Sequence, residues 1–326
     1  MSRYWNKFPE IQKEIDAVVE LIGQRANVRN SDIKAAIVDL STAGGKYLRP
    51  AFFFFFSQFG DQEQKNRDQL RQIAASLEIL HMATLIHDDV IDDSPLRRGQ
   101  KTIQTQFGKD VAVYTGDFLF TIFFELILES MQDSPYMTIN AKAMKQILIG
   151  ELEQMELYFN QEQDVESYLT AISGKTAELF QLASQEGAYF AGASQDVVSL
   201  AGRIGHHIGM TFQILDDILD YTADPKTFNK PVLEDLCNGV YSLPLLLAMK
   251  KNPAAFKPLL DKQRDMTSAD RLQVKELVLT YGGVEEAKAL ANKYTEKALA
   301  DIEQLPKIKA QKQLLKVTKE LLKRDI

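Results

Sequence analysis

The chain has 326 residues, of which 45% are hydrophobic and 25% charged, the composition of a globular protein that can bury a substantial core. Lys and Arg number 38 against 45 for Asp and Glu, a net charge of -7, so no basic stripe for nucleic acid follows. The single cysteine, Cys237, excludes an internal disulfide, fits a reducing cytoplasmic setting and reads as a small half-buried hydrophobe.

Residues 1–14 carry early acids and no apolar signal core, so no targeting segment is expected. Apolar residues at spacings of three and four (Ile11, Ile15, Val18, Val19, Ile22, then Ile33, Ile37, Leu40) predict two amphipathic helices. Residues 41–49 read as a glycine-containing loop. Helical patterns then cover 51–59, 68–92, 111–131, 139–159, 165–191 and 197–221. The longest apolar stretches, Ala51 to Phe56 and Phe118 to Leu128, fall well short of the ~20 residues of a membrane span, so no integral membrane protein is expected. Residues 224–231 form a polar loop, 242–250 a helix and 252–266 a looser connection. Three further helical segments occupy 268–281, 284–304 and 307–323. Strand-like alternation is hard to find, and no linker marks a boundary. The expectation is one all-α domain over 1–326.

Two acidic clusters dominate the chemistry. In Leu85 to Gly99, Asp88 and Asp92 stand i, i+4 on a helical face, with Asp89 and Asp93 as a second pair beside them. In Thr211 to Tyr221, Asp216 and Asp220 repeat the spacing, with Asp217 adjacent. Carboxylates this dense repel one another unless a cation intervenes. Both clusters end apolar runs, where a solvated helix face would be polar at most positions. Hard oxygen ligands suit Mg²⁺, which keeps several waters and is shared with substrate phosphates.

Cationic residues accompany the acids. Gly44 to Pro50 puts Lys46 and Arg49 on a glycine loop that can cradle an anion, and Arg97 and Arg98 follow the first cluster. Gly174-Lys175-Thr176 lacks the upstream glycine of a P-loop, Leu169 standing there, but a lysine opening a helix can bind phosphate as a point charge. Glu78-x-x-His81 has di-iron spacing without the second pair that architecture needs. His87 reads as a structural, hydrogen-bonded histidine. Gly202, Gly205 and Gly209 share a helix face and predict close approach of a neighbouring helix. Two magnesium-binding clusters with two separable cationic sets are what a two-substrate diphosphate enzyme requires.

From about Gly44 to Pro244 these motifs (G-G-K-Y-L-R-P, H-M-A-T-L-I-H-D-D-V-I-D-D-S-P-L-R-R-G, G-K-T-A, F-Q-I-L-D-D-I-L-D, N-K-P, S-L-P-L-L) resemble, in order, those of the trans-isoprenyl diphosphate synthases. The resemblance implies the isoprenoid synthase fold, a bundle of long antiparallel helices around a central cavity, usually a homodimer. It implies a prenyltransferase that joins isopentenyl diphosphate head-to-tail to an allylic diphosphate such as farnesyl diphosphate. Asp88, Asp92, Asp216 and Asp220 would bind Mg²⁺, three ions with substrate bound, with Asp89 and Asp217 in support. Arg97, Lys175 and Lys230 would neutralise the allylic diphosphate, with Thr176 beside them. Lys46, Arg49, His81 and Arg98 would hold isopentenyl diphosphate, and Gln213 would lie beside the reacting carbons. Asn229-Lys230-Pro231 departs from the family's Gly-Lys-Pro, and Ser242-Leu243-Pro244 from its Thr-Leu-Pro.

In the family, the residues four and five places before the first aspartate help set the cavity floor. Here they are Thr84 and Ala83, not bulky aromatics. The first motif also lacks the two extra residues of many bacterial short-chain enzymes. Both features predict a product longer than C15, C25 to C40, with Phe118, Phe120, Phe123 or Phe124 available as a deeper floor. A C20 geranylgeranyl synthase and the catalytic subunit of a heteromeric enzyme are the alternatives. A terpene cyclase would not need the second diphosphate pocket. A cytoplasmic location, with peripheral membrane contact for product release, completes the expectation.

Overall fold

The computed structural model describes residues 4–42, 45–61, 63, 66–222 and 233–322. Along the chain run α1 (Pro9–Arg25), α2 (Ser31–Thr42), α3 (Leu48–Ser57), α4 (Arg67–Ile91), β1 (Leu96–Arg97), β2 (Gln100–Lys101), α5 (Ile103–Phe107) and α6 (Lys109–Ser130). Next come α7 (Tyr136–Glu156), α8 (Val165–Ile172), a π-turn (Ser173–Ala177), α9 (Glu178–Phe190) and α10 (Gln195–Thr222). The remainder is α11 (Glu234–Asn238), α12 (Leu243–Lys251), α13 (Pro253–Leu260), α14 (Ser268–Thr280), α15 (Gly283–Gln304) and α16 (Lys309–Leu322). Packing groups them into two units, Met1–Ala141 with Leu182–Gly202, and Lys142–Gln181 with Arg203–Ile326.

In the first unit, Phe52 to Phe56 of α3 are all buried, and Phe55 meets the rings of Trp5 and Phe8 at 5.7 and 5.4 Å. Gly187 of α9 lets that helix approach closely, since a Cβ there would stand 2.1 Å from the Phe53 carbonyl oxygen. Asn66 caps α4 by accepting from the amides of Asp68 and Gln69, and α4 then packs along α6. By length and composition α6 is apolar enough to cross a membrane, a test that the core helix of a soluble protein also passes. Its charged residues break the run without ending the helix. Leu119, Ile122, Phe123, Leu126 and Ile127 form its buried stripe.

The second unit holds residues 203–222 of α10 and the C-terminal helices. A Cβ at Gly209 would lie 2.6 Å from Ala177 Cα, and one at Gly283 2.1 Å from the Pro244 carbonyl oxygen. Thr267 and Asp270 form a reciprocal capping box on α14. Cys237 is half-buried, as expected, with its thiol on the Leu233 carbonyl.

The helices from α6 to α10 follow the predicted spans to within a few residues. Four local readings change. Residues 41–49 are not all loop, because α2 runs to Thr42 and α3 starts at Leu48. Residues 252–266 contain α13, whose Pro253 sits in the first turn, where a missing N–H costs nothing; Pro258 lies within the helix. The two-residue strands β1 and β2 are too short to show alternation; their turn, Arg98-Gly99, has positive φ at both residues (52° and 79°). Asp93 has φ 51° and lies beyond the end of α4, so it forms no helical pair with Asp89 and instead meets Lys109 at 2.9 Å.

Glu186 of α9 is fully buried and accepts from Asn140 Nδ2 at 2.5 Å. Burial pushes its carboxyl up to about 8, so the native protein holds a proton that the unfolded chain releases near 4.5. Stability from this group is therefore complete below the unfolded value and falls by up to about 1.4 kcal/mol per pH unit as pH rises toward the folded one. Glu186→Gln should flatten that slope. Melting temperatures of both proteins between pH 5 and 8.5 test this, and parallel profiles would refute it.

Candidate active site

The first aspartate cluster occupies the last turn of α4. Asp88 is half-buried, and Asp92, the C-cap residue, is exposed. Asp89 is only 4% exposed. Arg97 of the hairpin donates to Asp89 Oδ1 through Nε at 2.8 Å and Nη2 at 2.7 Å, while Gln104 Nε2 donates to the Asp89 carbonyl at 2.9 Å. One carboxylate is thus braced inside and its neighbours are turned outward.

The same unit gathers a cationic pocket. Tyr47 caps α3 in the left-handed region at φ 49°, placing Arg49 in the first turn. A Cβ on Gly45 would lie 2.8 Å from Arg98 Nη1, so the absent side chain admits the guanidinium beside the loop. Burial lowers Arg49 to about 10, opposed by the attraction of Glu78 and aided by repulsion from Arg98. Burial likewise raises the Glu78 carboxyl against the pull of Arg49 and Arg98. His81 is held well below its ordinary value by burial, then by Arg49, Arg98 and Arg97, so its imidazole is neutral. Lys46 lies over the Tyr4 ring at 5.2 Å, and Trp5 donates to its carbonyl. His87 Nε2 stands 3.3 Å from both the Val113 carbonyl and Asp117 Oδ1, with its ring against Phe120.

In the second unit, the acidic face of α10 repeats the division. Asp216 is exposed, Asp220 accepts from the Leu233 amide at 3.1 Å, and Asp217 is 5% exposed. Tyr168 and Gln213 both donate to Asp217, at 2.5 and 2.8 Å, yet burial still pushes its carboxyl up to about 7. Lys175 does not open a helix. It sits in the π-turn inside one continuous helical run, reaching Glu151 at 2.8 Å and Gln154 at 3.0 Å on α7. Thr176 donates to Gln213 Oε1 at 2.8 Å. Lys230 lies outside the described residues.

Residues 30–279 match the family model described as polyprenyl synthetase. The chain belongs to the polyprenyl synthetase family. It is therefore a prenyltransferase. Among its relatives, heptaprenyl diphosphate synthase component 2 of Geobacillus stearothermophilus is 34% identical, over 97% of each chain. Among solved structures, geranylgeranyl pyrophosphate synthase from Lactobacillus brevis is similar at TM-score 0.93 and 46% identity, covering 98% of this chain and 99% of the other. Heptaprenyl diphosphate synthase from Staphylococcus aureus follows at 0.91 and 37%, covering 97% and 99%. The likeness confirms the all-helical isoprenoid synthase fold.

The donor set of this family member fits magnesium. Both clusters lie toward helix C-termini, and neither helix has a basic residue in its last turn. The helix dipole disfavours each carboxylate there by roughly 0.3–1 kcal/mol, which a cation reverses.

Tyr168, Glu78 and Tyr47 were missed as members of the site because each is an ordinary buried position in its helix or cap until its partner is known. Gly209 is needed for the π-turn to lie against α10. Gly209→Ala should cost about 1–3 kcal/mol through overpacking on Ala177 and lower the melting temperature; an unchanged melt would remove this role.

Proposed function

We propose that the chain is a trans-polyprenyl diphosphate synthase that condenses isopentenyl diphosphate head-to-tail onto an allylic diphosphate, with a product beyond C15 in the C25 to C40 range. The observation that carries this reading is the twofold occurrence of aspartates presented at a helix C-terminal end, together with the separate pocket of Arg49, His81 and Arg98.

Magnesium, three ions by this reading, supplies the positive charge that makes diphosphate a leaving group. Asp88 and Asp92 on α4, and Asp216 and Asp220 on α10, are the residues that would hold it. Arg97, Lys175 and Lys230 offset charge on the allylic diphosphate, with the Thr176 hydroxyl beside it. Lys46, Arg49 and Arg98 bind isopentenyl diphosphate, to which neutral His81 can donate without adding charge. The Gln213 amide lies beside the reacting carbons. No protein base is assigned, because the departed diphosphate takes the proton.

Product length is read from α4. Ala83 is fully buried, whereas Thr84 is half-open and donates to the His81 carbonyl, so Thr84 is the position where a larger side chain would block growth. Phe123 is fully buried in the core, while Phe118 and Phe120 are half-buried and Phe124 is 40% exposed. The identity to the Lactobacillus brevis protein favours a second reading, a C20 product.

A second copy of this chain is the partner we favour. On α6, Tyr114 and Leu128 are 76% and 54% exposed and share a face with Phe118, Thr121 and the exposed Glu125, a mixed apolar and polar strip that a helix of the other copy can cover. The Geobacillus relative is component 2 of a heptaprenyl diphosphate synthase, which supports a heteromeric alternative that the mass of the purified active species distinguishes. We place the enzyme in the cytoplasm, touching membranes only to release product.

Incubation with Mg²⁺, labelled isopentenyl diphosphate and farnesyl diphosphate should give a product ladder ending beyond twenty carbons. Termination at twenty would establish the second reading, and no product from any allylic primer would refute activity of the chain alone. Thr84→Phe should end the ladder at least one isoprene unit earlier; an unchanged ladder would remove Thr84 from the floor.

A further inference from the structure

Four side chains of the second unit, with the main chain between two of them, close a ring. The Tyr168 phenol donates to Asp217 Oδ2, Gln213 Nε2 donates to Asp217 Oδ1, and Thr176 Oγ1 donates to Gln213 Oε1. Tyr168 lies on α8 and Thr176 in the π-turn that follows it. In a regular α-helix, residues 168 and 176 would be turned about 80° apart. The wider π-turn absorbs roughly one residue, which brings the pair close to the i, i+7 relation of a single face. That face meets Gln213 and Asp217, themselves i, i+4 on α10.

The ring uses both oxygens of the Asp217 carboxylate and both ends of the Gln213 amide. The amide orientation is therefore fixed, with Oε1 toward Thr176. Asp217 and Tyr168 are each 5% exposed, so the phenol is a main donor to a carboxylate that water reaches little. Adjacent residues on a helix point about 100° apart. Holding Asp217 inward consequently turns Asp216 outward, where it is exposed.

We propose that Tyr168 is a positioning residue for the second aspartate cluster: with Thr176 it locks Gln213 and Asp217, and so fixes how α10 presents Asp216 and Asp220 to magnesium diphosphate. The ligand rests on the functional reading above; the ring does not. Tyr168 touches no reacting atom and acts through Asp217.

The test is calorimetric titration of the full chain with inorganic diphosphate, with and without Mg²⁺, for wild type and Tyr168→Phe. The variant should bind diphosphate in Mg²⁺ at least tenfold more weakly and lose a similar factor in kcat. Its KM for isopentenyl diphosphate should stay within twofold, and its circular dichroism should be unchanged. Equal magnesium-dependent affinity in the two proteins overturns the proposal. A wild type that binds no diphosphate in Mg²⁺ overturns the functional reading, and this proposal's ligand with it. Should Tyr168→Phe lose its fold, Tyr168→His, whose ring N–H can still donate, and Tyr168→Leu, which cannot, are compared in the same titration: the leucine variant should bind diphosphate in Mg²⁺ more weakly than the histidine variant, and equal affinities overturn the proposal.

Discussion

Each acidic cluster depends on one aspartate being tied down inside the protein. Asp89 is held by Arg97, and Asp217 by Tyr168 and Gln213. A helix that ends in three carboxylates is destabilised by mutual repulsion and by its own dipole. Giving the middle carboxylate dedicated donors relieves part of that cost. It also fixes the rotation of the helix end, so that Asp92 and Asp216 are exposed with Asp88 and Asp220 half-buried beside them. The supporting elements follow from this need: a hairpin with two left-handed residues delivers Arg97, and a π-turn against Gly209 delivers Thr176.

The cationic pocket shows the complementary constraint. Arg98 stands close enough to depress Arg49 and, with it, His81, and Glu78 offsets only part of that charge because burial opposes its ionisation. A net positive, partly buried cluster of this kind is costly when empty and is stabilised by an anion with several oxygens. Gly45 gives the Arg98 guanidinium its place beside the loop, and the left-handed Tyr47 turns the chain into α3.

Much of this was legible in the sequence. The aspartate clusters, the cationic sets and the long helices carry strong periodic or compositional signals, and the glycines at 202 and 209 do mark close approach. What was hidden depends on partners distant in sequence or on very short elements. Tyr168 resembles any core tyrosine until Asp217, 49 positions on, is beside it. The β1–β2 hairpin spans too few residues to alternate, α13 was disguised by two prolines, and Lys175 looked like a helix start because a π-turn leaves no mark in a periodic pattern. Asp93 was misplaced because the run D-D-V-I-D-D keeps helical spacing throughout and gives no sign that the helix stops within it.

The most direct measurement compares Asp88→Ala and Asp216→Ala with Asp89→Ala and Asp217→Ala, each assayed for turnover and for melting temperature. The account predicts that the first pair loses turnover by about 100-fold or more while melting within a few degrees of wild type. The second pair should melt markedly lower, because Arg97 and Tyr168 lose their buried acceptor. Near-wild-type turnover in Asp88→Ala or Asp216→Ala would contradict the division between presented and braced aspartates.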